Sequence, residues 1–426
     1  MASNLRLVDL IEKKQQGLAH SQEEINFIID SMLKDHAPDY QISAWLMAVY
    51  FQGLTETETI YVTDALIQSG EVVNLDDMSN NIIDIHSTGG VGDKATLALI
   101  PILVAAGIPT IKLLGRGLGN SGGTIDKLES IPGFSTNIAI PDMIKQLRDS
   151  KFAISSQIQN IVPANKTLQV LRYATSTNAS IPLIASSVVA KKIATGTNNI
   201  IIDIKYGSGT AIKNIEDAHK LSDLIIKTGK AFGKTITTLV NSMDEPLGRA
   251  IGNSLELIEA IEFLKGRIQN SDLADLVYNI GAVALIQLKR YDSKEKAIEY
   301  LKYLVTSGLA LEKFKNIIKT QKGNEKVIDS YDKFELPMHK IKCETNHTGR
   351  VNHIDAYKIA YACRLLGGSR DKIINNIDKS VGIFLNKKTE EYVSSGETLF
   401  TLYANDLKKL EEIKEYCYDA YSISQE

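Results

Sequence analysis

Apolar residues recur through the first 70 positions at the spacing of a helix. Leu5, Leu7, Val8, Leu10 and Ile11 form one face, and Ile25, Ile28, Ile29 and Leu33 form another. Ser21 followed by Glu24 reads as a capping box ahead of the second face. Ser43 to Phe51 is apolar almost all round, which predicts a buried helix or one that meets another subunit. The pattern then changes. Short runs at Ile82–Ile85, Thr110–Leu114, Ile200–Lys205 and Thr237–Asn241 predict strands. Runs at Leu97–Ala106, Ile125–Ile131, Asp217–Phe232 and Ser254–Leu264 predict helices. Such alternation predicts an α/β domain that binds ligands at the carboxyl ends of its strands. Leu168 to Thr195 interrupts the rhythm. It reads as helix, breaks at Ser180-Ile181-Pro182, stops near Gly196 and is expected to rejoin the N-terminal helices in space. Towards the C-terminus, short segments at Gly349–Ile354 and Gly382–Leu385 flank a helix at Ala356–Leu366. Glu391–Tyr403 has a turn at Ser395-Gly396 between two strands, so this part is expected to be a small α+β lobe.

Two strand–helix junctions are rich in glycine. IIDIHSTGGVGDKAT runs from Ile82 to Thr96, and GRGLGNSGGT runs from Gly115 to Thr124. Such turns aim backbone N–H groups at whatever lies above the sheet edge, and the helix that follows adds its positive N-terminal end. Ser87 and Thr96 add hydroxyl donors. His86 stands at the mouth of the first turn, either as a packed core residue or as a participant in chemistry. The second turn lacks the dinucleotide glycine spacing, and Gly92-Asp93-Lys94 lacks a Walker context, so nicotinamide and ATP chemistry are not indicated. Ser187 and Lys191 are four apart on one helix face, with Arg172 upstream. Two cations and a hydroxyl suit a planar ligand rich in carbonyls; the alternative is a solvated helix end at Lys191 and Lys192. Leu247 to Glu259 offers carbonyls and a carboxylate to a cation, or simply a surface glutamate.

The bulk composition narrows the classes. The 426 residues suffice for two or three domains, with 44% hydrophobic and 23% charged residues, an ordinary soluble balance. A formal charge of −3 without a long basic run argues against nucleic-acid or membrane-surface binding. Cys343, Cys363 and Cys417 show no metal-ligand spacing and fit a reducing, cytoplasmic setting. The N-terminal stretch lacks the apolar core of a signal peptide, and no apolar run reaches the roughly 18–20 residues of a membrane span.

Taken together, the segments resemble pyrimidine nucleoside phosphorylases and thymidine phosphorylases. The resemblance lies in DIHSTGGVGDKAT, GRGLGNSGGTIDKLESIPGF, SIPLIASSVVAKKIA, DIKYGSGTAIK, EPLGRAIGNSLELIEA, VGIFLNKK and GETLFTLYAN, in one order from Leu5 to about Asn405. Anthranilate phosphoribosyltransferase is similar at a greater remove. The resemblance implies an α/β protein with a helical lobe (1–68 and 160–196), a large mixed α/β lobe (80–157 and 197–335) and a C-terminal α+β part (336–426). It implies a homodimer formed through the helical lobe, with hinge candidates near Ser69–Asn81 and Ile158–Ala164. It also implies an enzyme, a pentosyltransferase that converts a pyrimidine nucleoside and phosphate to free base and pentose 1-phosphate.

By matching position to position, Arg172, Ser187 and Lys191 stand where the family grips the pyrimidine, with Leu118 beside them. His86 matches the histidine near base and ribose, so His86, Arg172 and Lys191 are the catalytic candidates. Ser87, Thr96 and Thr124 match hydroxyl positions of the phosphate site. Two positions of that site depart from the family. Where the family reads DKHSTGG, this chain has Ile85, and where it reads SGRGLGHTGG, this chain has Leu114, with Asn120 and Ser121 replacing His and Thr. Loss of an ammonium at contact removes on the order of 4 kcal/mol at an effective dielectric near 20, and loss of a hydroxyl partner roughly 1–3 kcal/mol more. The acceptor is therefore open between weakly held phosphate and water, the second giving a nucleoside hydrolase with Asp84 or His86 as base. A third reading is a nucleoside-binding protein without turnover. Gln169 replaces a family tyrosine, and Gly209-Thr210-Ala211-Ile212 lacks an aromatic wall. No organic cofactor is implied. In some members the position of Lys94 helps to hold a potassium ion with Gly92, Leu247, Ala250 and Glu259. Here the ammonium either takes the place of the ion or reaches towards the anion site.

Overall fold

The structure, a computed structural model, describes residues 5–75, 78–117, 119, 122–156, 160–370 and 376–424. Its contacts gather into two compact units. One is drawn from Met1–Thr88, Gln157–Ile204 and Asn214–Val240, the other from Gly89–Ser156, Lys205–Lys213 and Asn241–Glu426.

The first unit opens with helices Leu7–Gln15, Gln22–Leu33, Asp39–Gln52 and Glu56–Gln68. The expected capping box forms: Ser21 accepts from the Glu24 N–H while Glu24 accepts from the Ser21 N–H. Thr55 and Glu58 repeat the device at the fourth helix. Glu58 also accepts from the buried Lys14 ammonium at 2.7 Å and from the His20 N–H, so one carboxylate ties three segments together. Ile25, Ile28, Trp45, Leu46, Val49 and Val62 fill the core between these helices. The third helix is not buried all round. Ile42, Trp45, Leu46 and Val49 point inward, while Tyr40, Met47, Tyr50 and Phe51 are exposed. The segment after residue 160 rejoins this bundle as helices Pro163–Ala174 and Ile181–Ala194, the second packing against Glu56–Gln68 and Ile215–Ala231. The strand Ile83–Ser87 pairs in parallel with Asn199–Tyr206, setting His86 opposite Ile202 and Ser87 opposite Asp203.

In the second unit Thr110–Leu114 pairs in parallel with Phe152–Ser156. The helix Ala95–Ala105 is buried along almost its whole length, against Asn253–Leu264, Asp272–Gln287 and Leu309–Thr320. Neither the strand Phe152–Ser156 nor the helix Ile140–Ser150 is among the expected elements. The strand ends in two serines, whereas Ile140, Met143, Ile144 and Leu147 do stand at helical spacing, a signal the reading of the sequence passed over. The predicted helix over Ile125–Ile131 is shorter and starts earlier, Thr124–Leu128. Near the C-terminus, antiparallel strands run in the order Ala250–Ile251, Gly382–Leu385, Thr398–Ala404 and His339–Glu344. Tyr392–Val393, Gly349–Ile354 and Tyr421–Ile423 form a second antiparallel group. The strands on either side of Ser395-Gly396 thus pair into different sheets rather than with each other. Among the described residues no helix is long and apolar enough to cross a membrane.

Candidate functional site

The three residues expected to hold a planar ligand converge in the first unit. Arg172 lies in the last turn of Pro163–Ala174, and Ser187 and Lys191 lie one turn apart on Ile181–Ala194. Pro182 at the second position of the latter helix costs no hydrogen bond, because that N–H has no helical partner in any case. Arg172 donates to the Asn178 carbonyl at 2.8 Å and to the Leu183 carbonyl at 3.1 Å, which fixes the guanidinium across the loop between the helices. Among the described residues its Nε has no hydrogen-bond partner.

Among the described residues neither Arg172 nor Lys191 has a carboxylate within ion-pair distance. Burial pushes the Arg172 guanidinium down to about 10. Burial first, then the neighbouring charges of Lys192 and Arg172, push the Lys191 ammonium down to about 8. Two neighbouring cations, one buried and one half-buried, with no anion beside them among the described residues are electrostatically costly, and an arriving or developing negative charge relieves that cost. The solvated-helix-end alternative fails for Lys192, whereas Lys191 is half-buried. Lys192, buried beside Lys191, donates to both oxygens of Asp84 at 2.9 and 3.0 Å, and the Thr195 hydroxyl adds a third bond. Asp84 is fully buried within that network.

His86 is half-buried near the end of its strand, and Ser87 is half-buried at the strand's last residue, both in the first unit. Ile85 on the same strand is buried. Leu114, buried at the end of Thr110–Leu114, belongs to the second unit. So do Thr96, in the first turn of Ala95–Ala105, and Thr124, the first residue of its helix. Leu118, Asn120 and Ser121 lie outside the described residues.

The two hinge candidates meet inside the first unit, as far as their described residues go. The Glu71 N–H donates to the Asn160 carbonyl at 2.7 Å, and the Ala164 N–H to the Ser69 hydroxyl at 3.3 Å. Gly70 sits at the crossing, where a Cβ would fall 2.2 Å from the Asn160 carbonyl oxygen.

The cation-site candidates assemble in the second unit. The Lys94 ammonium, fully buried, donates to the Leu247 carbonyl at 2.7 Å, the Ala250 carbonyl at 2.8 Å and Glu259 Oε2 at 2.6 Å. Gly92 packs against the Leu247 carbonyl with no room for a Cβ. Glu259 is buried, not a surface residue. Two further lysines escape sequence reasoning. Lys127 pairs with Glu256 at 2.6 Å and donates to the Asp93 carbonyl at 2.8 Å. Lys388 donates to the carbonyls of Pro246 and Gly248 and to Asp272. Both lie in stretches that carry the family resemblance, but a lysine in a motif does not announce whether its ammonium is solvated or enclosed. Among the described residues no group of three His, Cys, Asp or Glu side chains is placed to hold a metal ion. A cavity of about 1150 Å³ in this unit, bordered by Arg249, Arg267, Tyr331, Phe384 and Tyr403, contains none of the base or anion candidates.

The chain is similar to known proteins along most of its length. Residues 8–70 match the helical bundle domain of a glycosyl transferase family, and residues 79–311 match the a/b domain of the same family. Residues 350–424 match the pyrimidine nucleoside phosphorylase C-terminal domain. Pyrimidine-nucleoside phosphorylases of Staphylococcus aureus strains MW2 and COL are each 42% identical over 401 residues, 94% of this chain and 92% of theirs. The fold of anthranilate phosphoribosyltransferase from Thermus thermophilus is similar at a TM-score of 0.59 and 14% identity, covering 74% of this chain and all of that one.

Proposed function

The chain belongs to the pyrimidine nucleoside phosphorylase family, and from that premise we propose that it cleaves the N-glycosidic bond of a pyrimidine nucleoside by means of Arg172, Ser187 and Lys191. The observation that carries this reading is that Arg172, buried, and Lys191, half-buried, have no carboxylate within ion-pair distance among the described residues. As the glycosidic C–N bond breaks, its electron pair passes to the base, and negative charge spreads onto the ring carbonyls. The sugar carbon becomes cation-like and is captured by an oxygen of the acceptor. Donors fixed before the reaction bind the departing base more tightly than the intact nucleoside, and that difference lowers the barrier. Arg172 and Lys191 supply charge, Ser187 supplies a hydroxyl, and His86 orients or protonates the base.

Phosphate is the acceptor on this reading, held weakly. Ser87, Thr96 and Thr124 supply hydroxyls, and the glycine turns supply N–H groups. Ile85 and Leu114 stand where the family has a lysine and a serine, so the phosphate dianion loses one counter-charge and one donor. The test is base release from uridine and thymidine against phosphate concentration. A rate that climbs without early saturation and yields pentose 1-phosphate supports it. Release that ignores phosphate and yields free pentose overturns it in favour of hydrolysis, the second reading, which the apolar Ile85 and Leu114 favour. Hydrolysis then has to draw its base from His86, since Asp84 is committed to Lys192. Nucleoside binding in calorimetry without any turnover would point instead to a binding protein.

The partners on this reading are the nucleoside, phosphate and a second copy of the chain, with no nucleic acid and no membrane. The exposed Tyr40, Met47, Tyr50 and Phe51 on one helix of the bundle support a dimer through that face. Sedimentation of the wild type and of Phe51→Glu tests it, the variant shifting to monomer. Three free, buried cysteines support a cytoplasmic setting.

A further inference from the structure

The loop from Glu245 to Ile251 is held by two ammonium groups, each facing the same kind of oxygen set. Lys388 takes the Pro246 and Gly248 carbonyls and the Asp272 carboxylate. Lys94 takes the Leu247 and Ala250 carbonyls and the Glu259 carboxylate, all three between 2.6 and 2.8 Å. An ammonium has three N–H donors, and Lys94 uses all of them. The carboxylate completes the arrangement from the other side. Glu259 Oε1 accepts from the Arg249 N–H at 2.8 Å and Oε2 from the Ala250 N–H at 2.9 Å. The loop's carbonyls thus go to the cation and its N–H groups to the anion, with one charge of each sign.

Two main-chain carbonyls and one carboxylate are hard oxygen ligands, the donor chemistry that suits an alkali or alkaline-earth cation. A separate potassium ion does not fit among them. The centre is filled by Lys94 Nζ, whose positive charge would repel it. The backbone closes tightly around it: a Cβ on Gly248, where φ is +68°, would fall 2.8 Å from Nζ and from both Glu259 oxygens, and a Cβ on Gly92 would fall 2.6 Å from the Leu247 carbonyl oxygen.

We infer that Lys94 is a tethered monovalent cation: its ammonium fills the cation position of this network, so the chain requires no potassium ion to order the 245–251 loop and the glycine turn that ends at Lys94. Lys94 is a positioning residue in this role. It directly precedes the helix Ala95–Ala105, and the Lys127 bond to the Asp93 carbonyl holds the same turn from its other side. The inference does not depend on which acceptor takes the pentose, because its first readout is stability.

The experiment compares thermal midpoint and kcat/KM in potassium, sodium, rubidium and tetramethylammonium chlorides at one ionic strength, for the wild type and for Lys94→Thr. The wild type is expected to show no saturable response to potassium in either readout. Lys94→Thr vacates the ammonium and keeps a hydroxyl. It is expected to lose roughly 10–100-fold in kcat/KM and to lower the midpoint, both regained saturably with potassium or rubidium but not with tetramethylammonium. A saturable potassium response in the wild type overturns the inference. So does a folded Lys94→Thr that answers all four salts alike. Should Lys94→Thr fail to fold in any of the salts, the wild-type titration decides alone: a flat response supports the tethered cation and a saturable one refutes it.

Discussion

The Arg172 guanidinium donates to the Leu183 carbonyl at 3.1 Å, in the first turn of the next helix, while among the described residues its own Nε finds no hydrogen-bond partner. The charge is therefore fixed in place by main-chain oxygens and left electrostatically unanswered. A side chain held this way has little rotamer freedom to lose when a ligand arrives, so its charge is available at full strength to a base that gains electrons.

Replacing Arg172 by alanine is expected to lower kcat/KM for nucleoside by roughly 10²–10³, the scale of removing one fixed donor from a developing anion. Arg172→Lys keeps the charge but loses the fork that spans Asn178 and Leu183, so it should recover only a part. Steady-state kinetics with saturating phosphate separates the two variants. Equal activity in wild type and Arg172→Ala would remove the guanidinium from the chemistry.

Lys191 gives a signature in pH. Burial holds its ammonium down at about 8, against an ordinary value of 10.5. Between those values the folded chain binds fewer protons than the unfolded one, so this group makes stability rise with pH across the window. Activity should move the other way, because the neutral amine gives up the charge that attracts the leaving base. The prediction is a kcat/KM that falls as pH passes about 8 while the thermal midpoint, taken relative to Lys191→Met, climbs up to the ordinary value. Lys191→Arg should carry the active plateau further into alkali, since guanidinium stays charged. A wild-type profile flat through this range would mean that the ammonium is not the acting form.

Much of the order of elements was legible because the strands Ile83–Ser87, Thr110–Leu114 and Asn199–Tyr206 each run into a glycine and most long helices carry an apolar stripe. The cluster of Arg172, Ser187 and Lys191 was legible because two of its members share one helix face and the third lies on the helix before it. What pattern does not reveal is the partner of a buried charge. Lys192 and Asp84 are 108 positions apart, and Lys94 lies 165 positions from Glu259. Local periodicity carries no information over such spans. For that reason Asp84 reads as a spare carboxylate in the sequence and proves to be fully engaged in the fold.

Asp84→Asn tests that engagement. Removing one member of a buried ion pair leaves the other charge uncompensated, at a cost of about 3–5 kcal/mol. The variant should unfold at markedly lower denaturant, and Asp84→Asn combined with Lys192→Met should recover much of the loss. Where Asp84→Asn remains folded, the pH dependence of base release should keep its shape. A vanished acidic limb in that profile would restore Asp84 as a proton acceptor.

The sharpest prediction concerns the acceptor. On the proposed reading, Ile85 and Leu114 deprive a bound phosphate of an ammonium and a hydroxyl that the family supplies. Returning the hydroxyl by Leu114→Ser should tighten phosphate by roughly tenfold, on the scale of one hydrogen bond to a charged group. Returning the ammonium by Ile85→Lys should gain more, up to about a thousandfold for a contact near 4 kcal/mol, less what the strand loses by burying a lysine in place of isoleucine. Both gains should appear in the phosphate KM, while the nucleoside KM, set by Arg172, Ser187 and Lys191, stays close to the wild-type value. The double variant separates phosphorolysis from hydrolysis. If phosphate is the acceptor, its KM falls and pentose 1-phosphate accumulates at lower phosphate than in the wild type. If water is the acceptor, the introduced charge draws phosphate into the site as an inhibitor, and free pentose declines as phosphate rises.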